Sequence, residues 1–348
     1  MWLFHNDYNE ICLPQILKRM NDTASVPMTG YGIDSCCEIA AALIRKECRR
    51  EDAAVHFLVG GTQTNLTVIA ASLRPHQAVI APSSAHISEH ETGAIEATGH
   101  RIIELSGQDG KITADQVSRV VEDHRRGDGP GMEHMAQPKL VYISQPTEFG
   151  TLYTLSEMEA LSATCKKYGL YLYVDGARLG YGVTARGNDV MIPDLARLCD
   201  AFYIGGTKQG TMFGEAVVIP NPGIAEDFRY MIKQRGGMLA KGWLLGLQFE
   251  VMFEDGLYYQ AASRANAMAE QIRQTLTDLG YPLVVDCTTN QVFTTMPDEI
   301  LDRLSRDFMF TEWTRVDATH RTIRFCTSWA TTQESVDALC EALTKLSK

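Results

Sequence analysis

The chain has 348 residues, of which 45% are hydrophobic and 22% are charged, and its formal net charge is −11. A chain of this size can bury a sizeable core, so we expect one large domain or a large and a small one. The negative charge, without any run of lysine or arginine, argues against nucleic acid as a partner.

Two further features of the sequence bear on where the protein works. No run of about 18 apolar residues could span a bilayer, and residues 1–10 lack the basic and apolar regions of a signal peptide. We therefore expect a cytoplasmic protein without a membrane partner. The nine cysteines include no C-x-x-C pair, which favours free thiols in a reducing compartment over disulfides or a zinc knuckle.

Short apolar runs alternate with helical patterns through the first two thirds of the chain. The first run, VHFLVGG at 55–61, predicts a buried strand, and Leu66, Ile69 and Leu73 follow it at helical spacing. Further strands are predicted, in chain order, at 78–81, 101–105, 139–144, 170–174 and 201–204. The helix before the 170–174 strand is predicted to open with the capping box Ser156-x-x-Glu159 and to stop at Gly169.

This alternation predicts an α/β fold in which a large domain holds a mostly parallel sheet sandwiched by helices. From about Leu245 the pattern changes to a long helical stretch that reaches Leu279. Strand-like segments follow at 282–286 and 291–296, and TIRFCTSW at 322–329 leads into a last helix capped by Thr331-x-x-Glu334. We therefore predict an N-terminal arm at 1–25, a large domain at 26–244 and a small α+β C-terminal domain at 245–348.

One lysine lies in an unusual place. In DAFYIGGTKQGTMFGEAVVIP, at 200–220, Lys208 follows a buried strand and precedes a second one, and Gly205, Gly206 and Gly210 leave room for a ligand to approach. A lysine whose pKa is lowered by desolvation and nearby cations is a nucleophilic amine, able to bond to an aldehyde. The alternative is an ordinary solvated lysine on a surface loop.

Two more polar groups follow predicted strands, and ligands of such sheets bind at the carboxyl ends of the strands. Gly60-Gly61-Thr62-Gln63 opens a helix, whose free N–H groups suit a phosphate, although a plain strand-to-helix turn would look the same. Asp175 and Arg178 follow the 170–174 strand, where the aspartate would otherwise cap a helix. With Lys208 they match the needs of pyridoxal phosphate, which are a phosphate cradle, an anion for the ring nitrogen and an amine for the aldehyde.

The order of these motifs resembles a known family. GGTQTN at 60–65, His86 after the next strand, VDGAR at 174–178 and the Thr207-Lys208 pair resemble the threonine aldolase and β-eliminating lyase family of fold-type-I pyridoxal phosphate enzymes. The resemblance extends to YGID at 31–34 and IRFCTSW at 323–329. It implies an aspartate-aminotransferase-like fold, a lyase acting on a small amino acid, and a homo-oligomer, dimer or tetramer, with active sites at the subunit interface.

The resemblance also implies roles for individual residues. Lys208 would form the covalent bond to pyridoxal 5'-phosphate, Asp175 would pair with the pyridinium nitrogen, and His86 would stack on the ring. The other cofactor contacts implied are Gly61, Thr62, Gln63, Arg178, Thr207 and, for an additional cation from the partner chain, Lys241 or Arg235. The substrate contacts implied are Asn6, Tyr31, Arg178 and Arg324.

The reaction implied is cleavage of L-threonine, L-allo-threonine or a related β-hydroxy-α-amino acid into glycine and an aldehyde. One departure leaves the preferred substrate open, because Glu148 stands where many threonine aldolases have a histidine that faces the substrate hydroxyl. Glu148 is either a catalytic base or a structural residue that pairs with Arg178 or caps the turn before Gly150. β-Elimination, transamination and racemisation stay open as alternatives, since all begin with the same bound amino acid.

Two other classes of function fit parts of the sequence. His86-Ile87-Ser88-Glu89-His90 spells H-x-x-E-H, a zinc-peptidase pattern when it lies on a helix, but the preceding Pro82-Ser83-Ser84 indicates a loop and no third ligand is evident. We therefore expect no metal. A binding protein that keeps the fold without chemistry is the other alternative, and it gives no reason for Lys208, Asp175 and Arg178 to lie at strand ends.

Overall fold

A seven-stranded sheet forms the centre of the protein, whose computed structural model describes residues 1–126 and 132–347. Its strand order is β2-β8-β7-β6-β5-β3-β4, with β8 antiparallel to β7 and β2, and with the pairs from β7 to β4 parallel. The strands of the protein are β1 Trp2–Leu3, β2 Ala54–Leu58, β3 Gln77–Pro82, β4 Arg101–Leu105, β5 Gln137–Ser144, β6 Tyr171–Asp175, β7 Ala201–Gly205, β8 Glu215–Ile219, β9 Gln291–Pro297, β10 Phe308–Met309, β11 Thr311–Arg315 and β12 His320–Cys326. The predicted α/β fold with a mostly parallel sheet is confirmed.

Helices cover both faces of this sheet. Those of the described residues are α1 Pro14–Asp22, α2 Ser35–Cys48, α3 Gly61–Ser72, α4 His86–Glu89, α5 Ala114–Arg126, α6 Leu155–Tyr168, α7 Leu179–Val183, α8 Ile192–Leu198, α9 Pro222–Ala225, α10 Phe228–Gln234, α11 Trp243–Glu254, α12 Leu257–Asp278, α13 Asp298–Leu304 and α14 Gln333–Leu346. None of them, within 1–126 and 132–347, is long and apolar enough to cross a membrane.

The central strands are mostly apolar because they are covered on both sides. Along β7, Phe202 and Ile204 enter one core cluster while Ala201 and Tyr203 enter the other, as expected when alternate side chains point to opposite faces. Every residue of β3, β7 and β8 is buried. The carboxyl ends of β5, β6 and β7 therefore meet at one edge that is fixed by packing on two sides.

A smaller antiparallel sheet, β11-β12-β9, packs against α12, α13 and α14. Its own core includes Ala269, Ile323 and Leu339, and it also takes in Phe4, because β1 pairs with β10. Helix α11 instead packs against α2 and adds Phe249 to the core of the large sheet. The boundary predicted at 245 remains a prediction. In these contacts, α11 packs with the large sheet, and the first residues of the chain pack with the small one.

Four local predictions were wrong. The cap of α6 is Thr154 with Glu157, since the same spacing of hydroxyl and glutamate occurs twice in TLSEME and only Thr154 has the extended backbone of a cap. Helix α14 is capped by Thr332, because the Thr331 hydroxyl accepts the Ser328 N–H instead (2.8 Å).

The long helical stretch is broken at Gly256, where φ is +65°, between α11 and α12. The segment predicted as a strand at 282–286 makes only an isolated bridge between Leu283 and Thr294.

Candidate active site

A cavity of about 290 Å³ lies at the carboxyl ends of β5, β6 and β7, and we call it the sheet-end cavity. The predicted residues that border it, in chain order, are Gly61, Thr62, His86, Glu148, Asp175, Arg178, Thr207 and Lys208. They come from separate segments of the chain, which the parallel sheet brings to one edge. All four predicted motifs, GGTQTN, His86, VDGAR and the Thr207-Lys208 pair, thus contribute residues to one cavity.

Lys208 presents a free amine to this cavity. Within the described residues its Nζ has no hydrogen-bond partner, while its carbonyl oxygen accepts the hydroxyl of Tyr181. Burial and the charge of Arg178 lower the pKa of the Lys208 amine, and the carboxylates around it oppose that shift. A lowered pKa leaves more of the amine unprotonated, which is the form that attacks a carbonyl carbon.

The sequence suggested that the glycines around Lys208 open space for a ligand. In the structure they do not. A Cβ on Gly206 would lie 2.6 Å from the carbonyl oxygen of Gly214, so this glycine lets the two sides of the β7–β8 loop meet. Gly210 has φ +116°, and a Cβ there would lie 2.6 Å from Leu13 of the N-terminal arm. The protein itself fills this space and holds the lysine loop in place.

Asp175, the last residue of β6, is held by four hydrogen-bond donors. Oδ1 accepts from the Tyr203 hydroxyl (2.5 Å) and the Ala177 N–H (2.9 Å), and Oδ2 accepts from the Tyr142 hydroxyl (2.6 Å) and Asn65 (3.1 Å). Burial acts to raise the pKa of Asp175, but the charge of His86 and these donors bring it below its ordinary value. The carboxylate therefore stays ionised beside the cavity.

His86 is oriented by a carboxylate that the sequence analysis missed. Its Nδ1 lies 2.7 Å from Oε1 of the buried Glu91, which also accepts from Asn65 (2.7 Å). Because Asn65 also donates to Asp175, one side chain connects the supports of His86 and of the aspartate. The sequence offered only two signals of this arrangement: Asn65 lies in the GGTQTN motif, and Glu91 lies five residues after His86.

The zinc reading of H-x-x-E-H finds no support in this geometry. Helix α4 is only four residues long. His86 Nδ1 contacts the carboxylate of Glu91, and His90 Nε2 lies 3.8 Å from Oε2 of Glu89. Across the part of the chain that the structure describes, no group of three or more histidine, cysteine, aspartate or glutamate side chains could hold a metal ion.

Glu148 borders the cavity but does neither of the two structural tasks predicted for it. Its Oε1 accepts the N–H of His86 (3.0 Å) and the hydroxyl of Ser144 (2.6 Å), while Arg178 is paired elsewhere. Burial raises the pKa of Glu148, against the hydrogen bond from Ser144. Among the described residues no donor contacts Oε2, so one oxygen of a carboxylate of raised pKa is left for a ligand.

Arg178 has one edge occupied and one edge free. Its Nε and Nη2 donate to Asp7 at 2.7 and 2.9 Å, and Asp7, which is fully buried, also accepts from Asn290 (2.9 Å). Burial acts to raise the pKa of Asp7, but Arg178 and Lys208 lower it overall. The Nη1 edge of the guanidinium has no partner in the described residues, so Arg178 can receive a carboxylate end-on from the cavity.

The start of α3 supplies a cradle for an anion. Gly60 caps the helix in an extended conformation, and the first intrahelical bond runs from Thr64 N–H to Gly60 O (3.0 Å). The N–H groups before Thr64 therefore lack an intrahelical acceptor, and Gly60, Gly61 and Thr62 border the cavity.

Six predicted residues do not border the cavity, namely Asn6, Tyr31, Gln63, Arg235, Lys241 and Arg324. Gln63 accepts the Val59 N–H (3.3 Å) and donates to the Arg235 carbonyl (3.2 Å). Asn6 accepts the Tyr8 N–H (2.9 Å), and Arg324 donates to Gln291 and to the His5 carbonyl, both at 3.0 Å. Tyr31 borders a second cavity, of about 220 Å³, and Lys241 is exposed. Their roles at the site stay predictions.

Comparison with known proteins identifies the family. A family model described as β-eliminating lyase matches residues 15–299. The chain belongs to this family.

Relatives within and beyond the family agree with this assignment. A low specificity L-threonine aldolase from Pseudomonas sp. (strain NCIMB 10558) is 31% identical over 302 residues, covering 86% of this chain and 85% of its own. A solved structure of Leishmania major threonine aldolase is 42% identical, with a TM-score of 0.97 over all of both chains. Aspartate aminotransferase from Thermus thermophilus, 15% identical with a TM-score of 0.69 over 97% of this chain and 89% of its own, shares the fold.

The chain is thus a lyase of the β-eliminating lyase family, whose enzymes depend on pyridoxal phosphate. The predictions of family, fold type, enzyme class and cofactor are confirmed. The residues of the sheet-end cavity fit this cofactor, since a free amine of lowered pKa, an ionised buried aspartate and an uncapped helix N-terminus border one space.

The β-eliminating lyase chain also brings to this cavity residues that the sequence analysis did not single out, among them Tyr8, Ser144 and Glu215. The sequence predicted a role for Asn6 and not for its neighbour Asp7, because the partner of Asp7, Arg178, lies 171 residues away. Glu215 lies in the segment 200–220 that contains Lys208. Its only signal in the sequence is that a charged residue begins an otherwise apolar strand.

Proposed function

We propose that the chain is an aldolase that cleaves threonine, allo-threonine or a related β-hydroxy-α-amino acid into glycine and an aldehyde. The observation that carries the proposal is the meeting of Lys208, Asp175, Arg178 and Glu148 around one cavity. The likeness to threonine aldolases at 31% and 42% identity supports the same reaction.

Each residue has a task that follows from its surroundings. Lys208 would hold the cofactor through its amine, Asp175 would face the ring nitrogen, and the N–H groups of Gly61 and Thr62 would receive the phosphate. When bound, pyridoxal phosphate supplies an aldehyde for amines and an electron-accepting ring. His86, oriented by Glu91, would lie beside that ring.

The substrate would be positioned by its carboxylate and its hydroxyl. Arg178 offers the free Nη1 edge to the carboxylate, and Asp7 on the other edge keeps the guanidinium from rotating. Glu148 would accept the hydroxyl proton as the Cα–Cβ bond breaks, using the oxygen that Ser144 and His86 leave free. A base at this place favours cleavage of β-hydroxy amino acids over transamination or racemisation.

We also infer a homo-oligomer, a dimer or a tetramer, with the active site at the subunit interface. Tyr8, which borders the sheet-end cavity, is 55% exposed, and Tyr31 and Ile33 beside the second cavity are 48% and 56% exposed. A second subunit over these side chains would bury them and bring Tyr31 and Lys241 of one chain toward the cavity of another. All nine cysteines are free and eight are buried, which supports a reducing, cytoplasmic location.

Aldehyde release from a panel of β-hydroxy amino acids, with glycine measured in parallel, tests the proposed reaction. We expect equal amounts of glycine and aldehyde, and loss of both in Lys208→Ala because no other amine borders the cavity among the described residues. The exposed Lys18→Ala, whose side chain pairs with Asp22, is the matched control and should keep full activity. Release of ammonia and a keto acid in place of glycine would contradict the proposal.

A further inference from the structure

Glu215 is a carboxyl group of the sheet-end cavity to which the proposed reaction gives no task. It is the first residue of β8, paired with Gly205 of β7 on one side and Leu58 of β2 on the other. It is 4% exposed and borders the same cavity as Lys208. An acidic side chain at this depth needs a reason, because burial of a charge is costly unless it is hydrogen-bonded or paired.

The hydrogen bonds of Glu215 go to the two residues immediately before the lysine. Its Oε2 accepts the Gly206 N–H (3.0 Å), and its Oε1 accepts the Thr207 hydroxyl (2.8 Å). The Thr207 oxygen in turn accepts the Gly214 N–H (3.1 Å). Thr207 therefore gives its single hydroxyl proton to Glu215, and in this arrangement it has none for a phosphate, so it acts on the loop and not as a donor to the cofactor.

The other charged groups around Lys208 are already matched. The charged groups with the largest effects on the pKa of Lys208 are Arg178, Asp7 from the N-terminal arm, Asp175 at the end of β6 and Glu215 from β8, in that order. Asp7 is paired with Arg178, and Asp175 accepts from four donors. Within the described residues, the Glu215 carboxylate receives hydrogen bonds only from Gly206 and Thr207 of the lysine loop, which leaves its charge available to the amine.

The charge of Glu215 also acts on three buried tyrosine hydroxyls. Burial raises the pKa of Tyr173, Tyr203 and Tyr258, from β6, β7 and α12. The charge of Glu215 raises the pKa of each further. Burial also raises the pKa of Glu215, against the Thr207 and Gly206 hydrogen bonds and the charge of Lys208. Lys208 is thus the cation with the largest effect on the pKa of Glu215.

We propose that Glu215 is a positioning residue for Lys208, which fixes the two residues before the lysine and faces its amine as the counter-charge. The proposal rests on the proposed function only in taking Lys208 as the amine that bonds the cofactor. It predicts two separable effects, one on how the loop holds the lysine and one on the pH at which the lysine nitrogen gains its proton.

Glu215→Gln tests the charge, because glutamine keeps the size and removes the negative group. The readout is the pH titration of the visible absorbance of the lysine-bound cofactor in the purified holoenzyme, without substrate. Loss of a nearby negative charge disfavours the protonated nitrogen, so we expect the midpoint to fall by about one pH unit. The exposed Glu226→Gln should leave the midpoint unchanged.

Glu215→Asp tests the loop, because it keeps the charge but shortens the side chain by one methylene. We expect its midpoint to stay near that of the wild type, while the bond between Lys208 and added cofactor forms more slowly in the apoenzyme. Midpoints unchanged in both variants would overturn the proposal, as would equal shifts in both. Failure of the proposed function is seen separately, as an absorbance band that persists in Lys208→Ala or as absent aldehyde release.

Discussion

At the scale of single residues, Arg178 shows how the chain holds a proposed substrate contact in place. A guanidinium has a side edge and an end edge, and Asp7 takes the side edge with two hydrogen bonds of 2.7 and 2.9 Å. Asn290 holds Asp7 from the C-terminal part of the chain. Three distant parts of the sequence therefore fix one arginine that borders the cavity, and among the described residues its end edge remains free.

Glu148→Gln tests the proposed base at the same scale. Glutamine can still accept the Ser144 and His86 hydrogen bonds through its Oε1, so binding of cofactor and of glycine should persist. Aldehyde release from threonine should fall by about 10²-fold, the typical contribution of a positioned base. The measurement is kcat for aldehyde release together with the spectral change on adding glycine. Equal losses in both readouts would indicate a structural role, and no loss would exclude the base.

The pH dependence of the same variant gives an independent test. Glu148 must be ionised to accept a proton, and burial raises its pKa, so wild-type cleavage should decline as the pH falls through that raised value. Glutamine has no proton to gain, so the residual activity of the variant should lose this decline. A decline that persists unchanged would assign it to another group.

At the scale of elements, the strands were the most predictable part of the fold. β3, β7 and β8 are buried on both faces, and in the sequence such strands are nearly continuous apolar runs that are easy to detect. Caps are less predictable, because a short motif can occur twice in overlapping positions. The choice between Thr154 and Ser156 is made by backbone conformation, which tertiary packing decides.

Thr154→Ala tests that choice. The Thr154 hydroxyl accepts the Glu157 N–H (3.2 Å), and the Glu157 carboxylate accepts the Thr154 N–H (2.8 Å), so the alanine variant loses half of the capping box. A lost cap costs about 1 kcal/mol, which should speed hydrogen exchange in the first turn of α6 roughly fivefold. Ser156→Ala removes the other candidate cap and should have a smaller effect. Faster exchange in the serine variant than in the threonine variant would contradict the assignment.

At the scale of the whole molecule, the site combines groups that sequence reasoning could reach with groups that it could not. Lys208, Asp175 and the start of α3 follow strands directly, so the rule that ligands bind at strand ends brought them together. Asp7 and Glu91 could not be reached in this way, because each is defined by a partner rather than by its own neighbours in sequence. Such residues carry no local pattern, and only the folded chain reveals that they orient Arg178 and His86.

The last prediction concerns the assembly of subunits over the exposed apolar side chains. Ile33 and Val316 are both 56% exposed, but Ile33 borders the second cavity with Tyr31, whereas Val316 follows β11 in the small sheet. If a second subunit covers Ile33, a glutamate there would have to lose its hydration on burial, and the dissociation constant should rise by at least about tenfold. Sedimentation velocity should then show Ile33→Glu shifted toward the monomer, with aldehyde release lost in proportion because the proposed site is shared between two chains. Val316→Glu adds the same charge at the same exposure and should leave assembly and activity as in the wild type. A wild-type chain that is monomeric and fully active would contradict a site shared between subunits.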